Sequence, residues 1–152
     1  MDNEKLKERI LSLVPETQFE ENKQFLTCIV PANLFHAALE NLKNSADTAF
    51  DYLFCLTGVD MGKELVMVYH LNSTLHQHEM VLKVKLTDRE NPVIDSICDL
   101  YRSAEFYERE VYDMFGIRFN NHPDMRRIFL DENWQGYPLR KDYVVEINII
   151  EL

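Results

Sequence analysis

Apolar residues recur along the chain at two spacings, one typical of helices and one typical of strands. A first helix is predicted up to Pro15, on the apolar residues Leu6, Ile10, Leu13 and Val14. Pro31 opens a second predicted helix, a position that proline favours, with the stripe Leu34, Phe35, Ala38, Leu39 and Leu42. A third helix is predicted from a cap at Asp95 or Ser96 to about Phe115.

Strand patterns fill the segments between these helices. A weak strand at 17–20 and a stronger one at 24–30 flank a short polar turn. The segment 64–71 is apolar on both faces, which is typical of an interior strand. The segment 50–59 is predicted to turn one set of side chains to one face: Phe50, Tyr52, Phe54 and Leu56.

The segment 79–87 shows the clearest alternation. Lys83 and Lys85 point outward, and the inward set is Met80, Leu82, Val84 and Leu86. The element order is therefore helix, two strands, helix, three strands, helix. Short turns between consecutive strands predict a mostly antiparallel or mixed sheet, and the predicted fold of residues 1–115 is a two-layer α+β domain.

The pattern changes after Phe115. Residues 116–146 keep no helical or strand period, yet they are rich in large apolar side chains. Six of the eight arginines lie after residue 100, and arginine with aromatic residues is the composition of interface cores. Residues 116–152 are therefore predicted to form a long extended tail that docks against another protein.

Composition excludes several classes of function. The chain has 152 residues, enough for one domain, and its net charge of −10 argues against binding nucleic acid or an anionic membrane surface. Cys28, Cys55 and Cys98 are scattered singly, which predicts a reducing, cytoplasmic environment and no zinc or iron–sulfur ligand set. No apolar run is long enough to cross a bilayer, and the first residues do not read as a signal or transit peptide.

Histidines offer the only candidates for catalysis or metal binding. His76 and His78 could face one metal ion, and His122 with Asp124 could form a His–Asp pair. No nucleophile motif or phosphate-binding glycine loop accompanies them. We therefore expect no catalytic, cofactor-binding or metal-binding residue in this chain. A free-standing metal-dependent hydrolase using these histidines remains a remote alternative.

Charged residues on the third helix have two interpretations. Glu105, Arg109 and Asp113 follow one another at four-residue intervals, and Glu108 and Glu110 border the apolar stripe. The residues could form a solvated ladder worth about 0.3–0.5 kcal/mol per pair. Alternatively, Arg109 and the glutamates could form covered ion pairs with arginines of the tail or of a partner. Helical spacing alone does not choose between them.

One long motif carries a family resemblance. Residues 108–143, EREVYDMFGIRFNNHPDMRRIFLDENWQGYPLRKDY, resemble the signature of the C-type (30-kDa) subunit of respiratory complex I, the proton-pumping NADH:quinone oxidoreductase. The upstream segment 50–60 and the order of the elements are also similar to that family. Phe106 stands where the family usually has Trp, and Val144 stands where it often has Pro.

The resemblance implies a non-catalytic structural subunit of a larger complex. FMN, the iron–sulfur clusters and quinone would lie on other subunits. This chain would dock against the quinone-site large subunit (49-kDa, D-type) and the terminal-cluster subunit (B-type). It would be a peripheral subunit on the cytoplasmic side of the inner (plasma) membrane, associated with the membrane only through its partners. An equivalent subunit of a membrane-bound [NiFe]-hydrogenase or related energy-converting complex is the alternative.

The motif also supplies a predicted partner interface. Glu108, Arg109 and Glu110 are expected to organise the tail and its contact with a partner through covered ion pairs. The complete predicted interface is Glu108, Arg109, Glu110, Asp113, Phe115, His122, Pro123, Asp124, Arg126, Arg127, Trp134, Pro138, Leu139, Arg140, Lys141, Asp142 and Tyr143.

Overall fold

A computed structural model describes residues 2–144 of the chain and shows three helices and seven strands within them. The elements are α1 Asn3–Leu13, β1 Gln18–Glu20, β2 Leu26–Ile29, α2 Phe35–Asn44, β3 Tyr52–Asp60, β4 Leu65–Ser73, β5 His78–Leu86, β6 Val93–Asp95, α3 Ala104–Phe115 and β7 Arg118–Asn120. This arrangement confirms the predicted α+β class. Residues 145–152 of the predicted tail, and Met1 of the predicted core domain, lie outside the described residues.

Five strands form one mixed sheet in the order β1-β2-β5-β4-β3. The pair β2–β5 is parallel, and the other three pairs are antiparallel. Inward residues of β4 and β5 join buried residues of all three helices in one core. Val66, Val68 and Val81 form a small cluster on the opposite face, covered in part by Phe25. The helices therefore cover one face of the sheet, which is the predicted two-layer arrangement.

The patterns predicted for β4 and β5 are confirmed. Five consecutive residues of β4, 65–69, are buried, as an interior strand requires. Along β5 the buried set Met80, Leu82, Val84 and Leu86 faces the core. Lys83 and Lys85 are directed away from the core. β5 pairs with β2 on one side and β4 on the other, and it is the middle strand of the five.

The single face predicted for Phe50, Tyr52, Phe54 and Leu56 is wrong, although Phe50 and Leu56 are both buried. The register against β4 shifts between Leu53 and Cys55, so an irregularity interrupts the two-residue alternation. Leu53 and Leu56 consequently point into the core, whereas Tyr52 is more than half exposed. A strict two-residue count cannot anticipate such a shift.

The predicted start of α3 is also wrong. Residues 93–95 form β6, which pairs in parallel with β7 at 118–120. Ser96 donates its hydroxyl to Glu108 instead of capping a helix, and α3 begins only at Ala104. The pairing of β6 with β7 joins segments on either side of α3, and the tail pattern gave no sign of a strand at 118–120. No helix within residues 2–144 is both long and apolar enough to cross a membrane.

Candidate docking site

Helix α3 lies between the core and the tail, and it buries both apolar and charged residues. Ala104, Val111 and Phe115 belong to the core cluster under the sheet. Glu108, Arg109 and Asp113 are also buried, although they are charged. Buried charges require hydrogen-bond partners, because an unpaired one costs several kcal/mol. The partners of Arg109 and Asp113 show how the tail is held, and those of Glu108 show how the segment before α3 is held.

Glu108 is completely buried and accepts three hydrogen bonds from the segment before α3. The donors are the amide of Ile97 at 2.8 Å, the hydroxyl of Ser96 at 2.7 Å and the thiol of Cys98 at 3.2 Å. Burial raises the pKa of this carboxyl, and the three hydrogen bonds oppose that shift. Glu108 therefore anchors residues 96–98 to α3. The predicted pairing of Glu108 with an arginine is wrong.

His122 lies beside Glu108 and Cys98, and ligand atoms of the three residues lie within 4.8 Å of one another. In the described part of the chain this is the only such group of three possible metal ligands. However, Nδ1 of His122 accepts from the amide of Asp124 at 2.9 Å. Nε2 must then carry the proton, which it donates to the Glu105 carbonyl at 3.0 Å.

Cys98 is equally unsuited to bind a metal as it stands. Burial raises the pKa of its thiol to about 12, so the sulfur keeps its proton at neutral pH. A metal ligand would need the thiolate and a free Nε2 lone pair on His122. Cys98 therefore serves as a hydrogen-bond donor to Glu108, and His122 serves as a donor to the Glu105 carbonyl.

Arg109 binds the backbone of the tail. Its Nε and Nη2 donate to the carbonyls of Arg126 and Arg127 at 3.2 and 2.9 Å. The predicted four-residue ladder from Glu105 through Arg109 to Asp113, all of them described residues, does not form. The tail provides the acceptors instead, and Arg109 as a whole residue is only 8% exposed.

A covered ion pair with a tail arginine does form on this helix, but its carboxylate is Asp113 and not one of the glutamates for which it was predicted. Oδ1 of Asp113 lies 2.9 Å from Nη1 of Arg127. Oδ2 accepts from three consecutive amides, those of residues 128, 129 and 130, at 3.3, 2.8 and 3.1 Å. Burial alone would raise the pKa of Asp113, but these hydrogen bonds outweigh it, and the pKa lies below its ordinary value. Arg127 also donates to the carbonyls of Trp134 and Gly136.

A second attachment point lies at the end of β3, and sequence reasoning missed it. Oδ1 of Asp60 accepts from the Gly62 amide at 2.8 Å, as expected of a residue at a turn. Asp60 also forms a two-pronged pair with Arg89 and accepts from the Lys141 amide at 2.9 Å. Arg140 donates to the Arg89 carbonyl at 2.8 Å. We call Asp60, Arg89, Arg140 and Lys141 the strand-end clasp.

Tyr137 fills the space between the two attachment points. A Cβ added to Gly116, at the end of α3, would lie 2.5 Å from the Tyr137 ring. The guanidinium carbons of Arg127 and Arg140 lie 5.0 and 5.6 Å from the ring centre. The described part of the tail, residues 116–144, is thus held against α3 and the sheet.

Several large apolar side chains nevertheless remain outside. Their exposed fractions are 58% for Phe106, 66% for Phe129, 42% for Trp134 and 55% for Leu139. Phe106 and Phe129 line a hollow of about 320 Å³ whose wall includes the exposed Glu110. We call Phe106, Phe129, Trp134 and Leu139 the tail surface. Phe106 and Phe129 were absent from the predicted interface.

The other predicted interface residues fall into three groups. Phe115 is buried in the core and cannot meet a partner directly. Asp124 and Arg126 form an exposed ion pair at 2.9 Å. The remainder range from half-buried to exposed along the tail: Pro123, Pro138, Asp142 and Tyr143. Which of them contacts a partner stays a prediction.

His76 and His78 do not join His122. Their rings stack at 5.5 Å, as their alternation suggested. Each Nε2, however, bonds a backbone carbonyl, that of Ala46 for His76 and that of Thr48 for His78. The two histidines therefore tie the β4–β5 turn and the start of β5 to the segment that follows α2.

Comparison with known proteins gives a consistent picture. The sequence model of the family described as respiratory-chain NADH dehydrogenase, 30 Kd subunit, matches residues 28–148. The combined C/D subunit of NADH-quinone oxidoreductase from Phocaeicola vulgatus is 47% identical over 124 residues, 81% of this chain and 24% of that protein. The C subunit of NADH-quinone oxidoreductase from Chloroherpeton thalassium is 48% identical over 99 residues, 64% of this chain and 41% of that protein. The chain thus spans less than half the length of either relative.

A solved structure shows the same fold. It is that of the membrane-bound sulfane sulfur reductase, an archaeal respiratory membrane complex, and one of its chains superposes with a TM-score of 0.79. The two sequences are 28% identical, and the match covers 94% of this chain and 86% of that chain.

Proposed function

Because the chain belongs to the respiratory-chain NADH dehydrogenase 30 Kd subunit family, we propose that it is a non-catalytic subunit of a proton-pumping NADH–quinone oxidoreductase. In this proposal it docks against the quinone-site large subunit and the subunit that carries the terminal iron–sulfur cluster. The Phocaeicola vulgatus relative bears the double designation C/D, which supports a D-type neighbour. Partners joined in one chain meet at a high effective concentration.

The main support for the proposal is that the tail is fixed by buried charged groups and exposes large apolar side chains. Buried charged groups, Arg109 and Asp113, hold its backbone from within. The tail surface, in contrast, turns large apolar side chains to solvent. Exposed apolar groups on a fixed backbone are typical of a protein–protein interface.

Electron carriers are assigned by this proposal to other subunits. The cysteines Cys28, Cys55 and Cys98 are free thiols that lie apart in the sequence. Burial raises the pKa of Cys28 to about 12, as it does for Cys98, so both thiols are protonated at neutral pH in the free chain. FMN, the clusters and quinone would therefore be bound elsewhere, and the chain would reach the cytoplasmic membrane surface through its partners.

A second candidate function is favoured by the structural neighbour. The same fold occurs in an archaeal respiratory membrane complex named for sulfane sulfur reduction. The docking role would then serve a related energy-converting complex, such as a membrane-bound [NiFe]-hydrogenase, with a different electron donor or acceptor. The fold of this chain is compatible with either setting, because nothing in the docking role depends on the donor.

Affinity purification from gently solubilised native membranes, followed by mass spectrometry, tests the proposal. We expect the tagged chain to recover flavin- and cluster-bearing NADH dehydrogenase subunits together with NADH–quinone activity. Recovery of a large subunit with four nickel-ligand cysteines would favour the second candidate instead. A chain recovered alone would contradict both.

A pair of variants locates the docking surface. The double substitution Phe129→Ala with Trp134→Ala should reduce recovery of partner subunits by about tenfold or more, since aromatic anchors dominate interface energies. Leu75→Ala is the matched control, because Leu75 is 71% exposed but lies in the β4–β5 turn. Equal recovery from the two variants would place the interface elsewhere.

A further inference from the structure

Asp60 has more hydrogen-bond partners than a turn residue needs. Its side chain is only 2% exposed, and each carboxylate oxygen accepts two hydrogen bonds. Arg89 supplies one to each oxygen, at 2.6 and 2.9 Å. The remaining two come from the amides of Gly62 and Lys141. All the acceptor capacity of this buried carboxylate is therefore used.

One of these four bonds crosses from the core domain to the tail. Lys141 lies 81 residues after Asp60 in the sequence, and its amide donates to Oδ2. Arg140 adds two further hydrogen bonds between the tail and the core domain. Its Nε donates to the Phe115 carbonyl at 2.6 Å, and its Nη1 donates to the Arg89 carbonyl. The amide of Leu139 donates to the Met114 carbonyl at 3.1 Å. Residues 139–141 are thus bound at three successive positions.

We propose that Asp60 is a positioning residue that fixes residues 137–143 against the core before any partner binds, so that Leu139, the part of the tail surface in this segment, is presented preformed. The second half of this statement rests on the proposed docking function; the first half does not. Leu139 belongs to the tail surface and stands two residues before the amide that Asp60 holds. A segment that is already ordered loses less entropy on association than one that folds on its partner.

Asp60→Asn and Asp142→Asn form a matched pair of variants. Both remove one carboxylate near Arg89, but Asp142 is 64% exposed and its Oδ1 lies 3.7 Å from Arg89. In Asp60→Asn an amide group replaces one oxygen and faces donors that need acceptors. The full chain of each variant is compared with the wild type by hydrogen exchange, read by mass spectrometry on peptides covering 137–143 and on β4 and β5.

We expect exchange across 137–143 to accelerate by about tenfold or more in Asp60→Asn, because a buried charged hydrogen bond is lost. Exchange in β4 and β5 should stay unchanged, and Asp142→Asn should match the wild type. Equal tail exchange in the wild type and Asp60→Asn would overturn the proposal. If Asp60→Asn does not fold, Arg89→Lys keeps the charge but loses the two-pronged geometry, and the same expectation applies to it.

Binding kinetics to the co-purified large subunit separate this inference from the proposed function. A preformed tail predicts that Asp60→Asn lowers the association rate about tenfold or more, because the competent tail conformation is less populated. An unchanged association rate would overturn the presentation role. Failure of the wild-type chain to bind any partner would refute the docking function, whereas an accelerated tail exchange in Asp60→Asn would still support the clasp.

Discussion

Glu108 and Glu110 stand two residues apart on α3, yet Glu108 is completely buried and Glu110 lies in solvent. The difference follows from their partners. Glu108 accepts from the amide of Ile97 and from two side chains of the segment before the helix. Glu110 is exposed and lines the hollow beside Phe106 and Phe129. The same residue type therefore holds the fold together at one position and is available to a partner at the other.

The two glutamates give a matched test at the residue scale. Glu108→Ala should lower the free energy of unfolding by about 1.5–3 kcal/mol or more, because buried donors lose a charged acceptor. Glu110→Ala should change it by less than about 0.5 kcal/mol, as is usual for an exposed site. Urea denaturation followed by circular dichroism measures both. Equal stability losses would mean that the Glu108 contacts contribute little.

Sequence reasoning identified the charged residues that matter but assigned most of their partners wrongly. Helical spacing offered Arg109 partners on the same helix as one of two interpretations. The actual acceptors lie 17 and 18 residues away, in the tail. Asp60 was missed because Arg89 and Lys141 follow it by 29 and 81 residues. Periodicity reports contacts within one element, whereas these pairs form between elements.

At the scale of elements, the backbone conformation at the end of α3 determines how closely the tail can pack there. Gly116 ends the helix in the left-handed region, with φ of 74°, and its amide donates to the Tyr112 carbonyl. The Tyr137 ring lies directly against this glycine. The C-terminal end of α3 is thus also part of the surface against which the tail packs.

Two glycine substitutions separate backbone strain from contact with the tail. Gly62→Ala meets no atom within 4 Å but has φ of 88°, so it should cost about 1–2 kcal/mol of unfolding free energy from strain alone. Gly116→Ala carries the same kind of strain and would also collide with Tyr137. We expect it to cost about 1–3 kcal/mol more than Gly62→Ala. Thermal or urea unfolding measures the difference, and equal costs would argue against the Tyr137 contact.

Elements with strong local patterns were predictable, and those that depend on distant segments were not. The alternation of β5 and the apolar run of β4 are confirmed, because both reflect burial on a known number of faces. The three-residue strands β6 and β7 exist only as a pair across α3, so neither has a pattern of its own. The helix cap expected at Asp95 or Ser96 failed for the same reason. The register shift in β3 depends on its pairing with β4.

For the molecule as a whole, the core and the tail are held by different forces. Apolar burial forms the core, which contains residues of all three helices and of the main sheet. The tail depends largely on carboxylates, Asp60 and Asp113, and on arginines. Hydrogen bonds to ionised groups respond to pH, whereas apolar contacts do not. The two parts should therefore respond differently to acid.

Acid should release the tail before it unfolds the core. Hydrogen bonds from Arg89 lower the pKa of Asp60, and the pKa of Asp113 is also lowered. A lowered pKa contributes stability above the ordinary value of 3.8, and this stability is lost as the pH falls below that value through the folded pKa. Glu108 acts in the opposite sense, because its raised pKa favours the native state as the carboxyl gains a proton.

Trp134 is the only tryptophan in the chain and lies in the tail, so its fluorescence reports tail release. Below pH 3.8 we expect the fluorescence to change at a higher pH than the far-ultraviolet circular dichroism of the core. Asp113→Asn is the control: its tail should already be loosened at neutral pH and show a smaller acid transition. Coincident transitions in the wild type would mean that tail and core unfold together.

The position of β5 in the sheet has a consequence for how the chain acquires its structure. β1–β2 and β3–β4 each pair locally, but within the described sheet no hydrogen bonds join the two pairs, because β5 lies between them. A nascent chain that has emerged only as far as residue 77 therefore has two separate hairpins with open edges. The five-stranded sheet is completed only when β5 pairs with β2. Nearly fifty residues separate Ile29 from His78, and they include α2, β3 and β4. Such a distant pairing is slow, so the unfinished chain exposes the edges of β2 and β4, which β5 later covers and on which a chaperone could act.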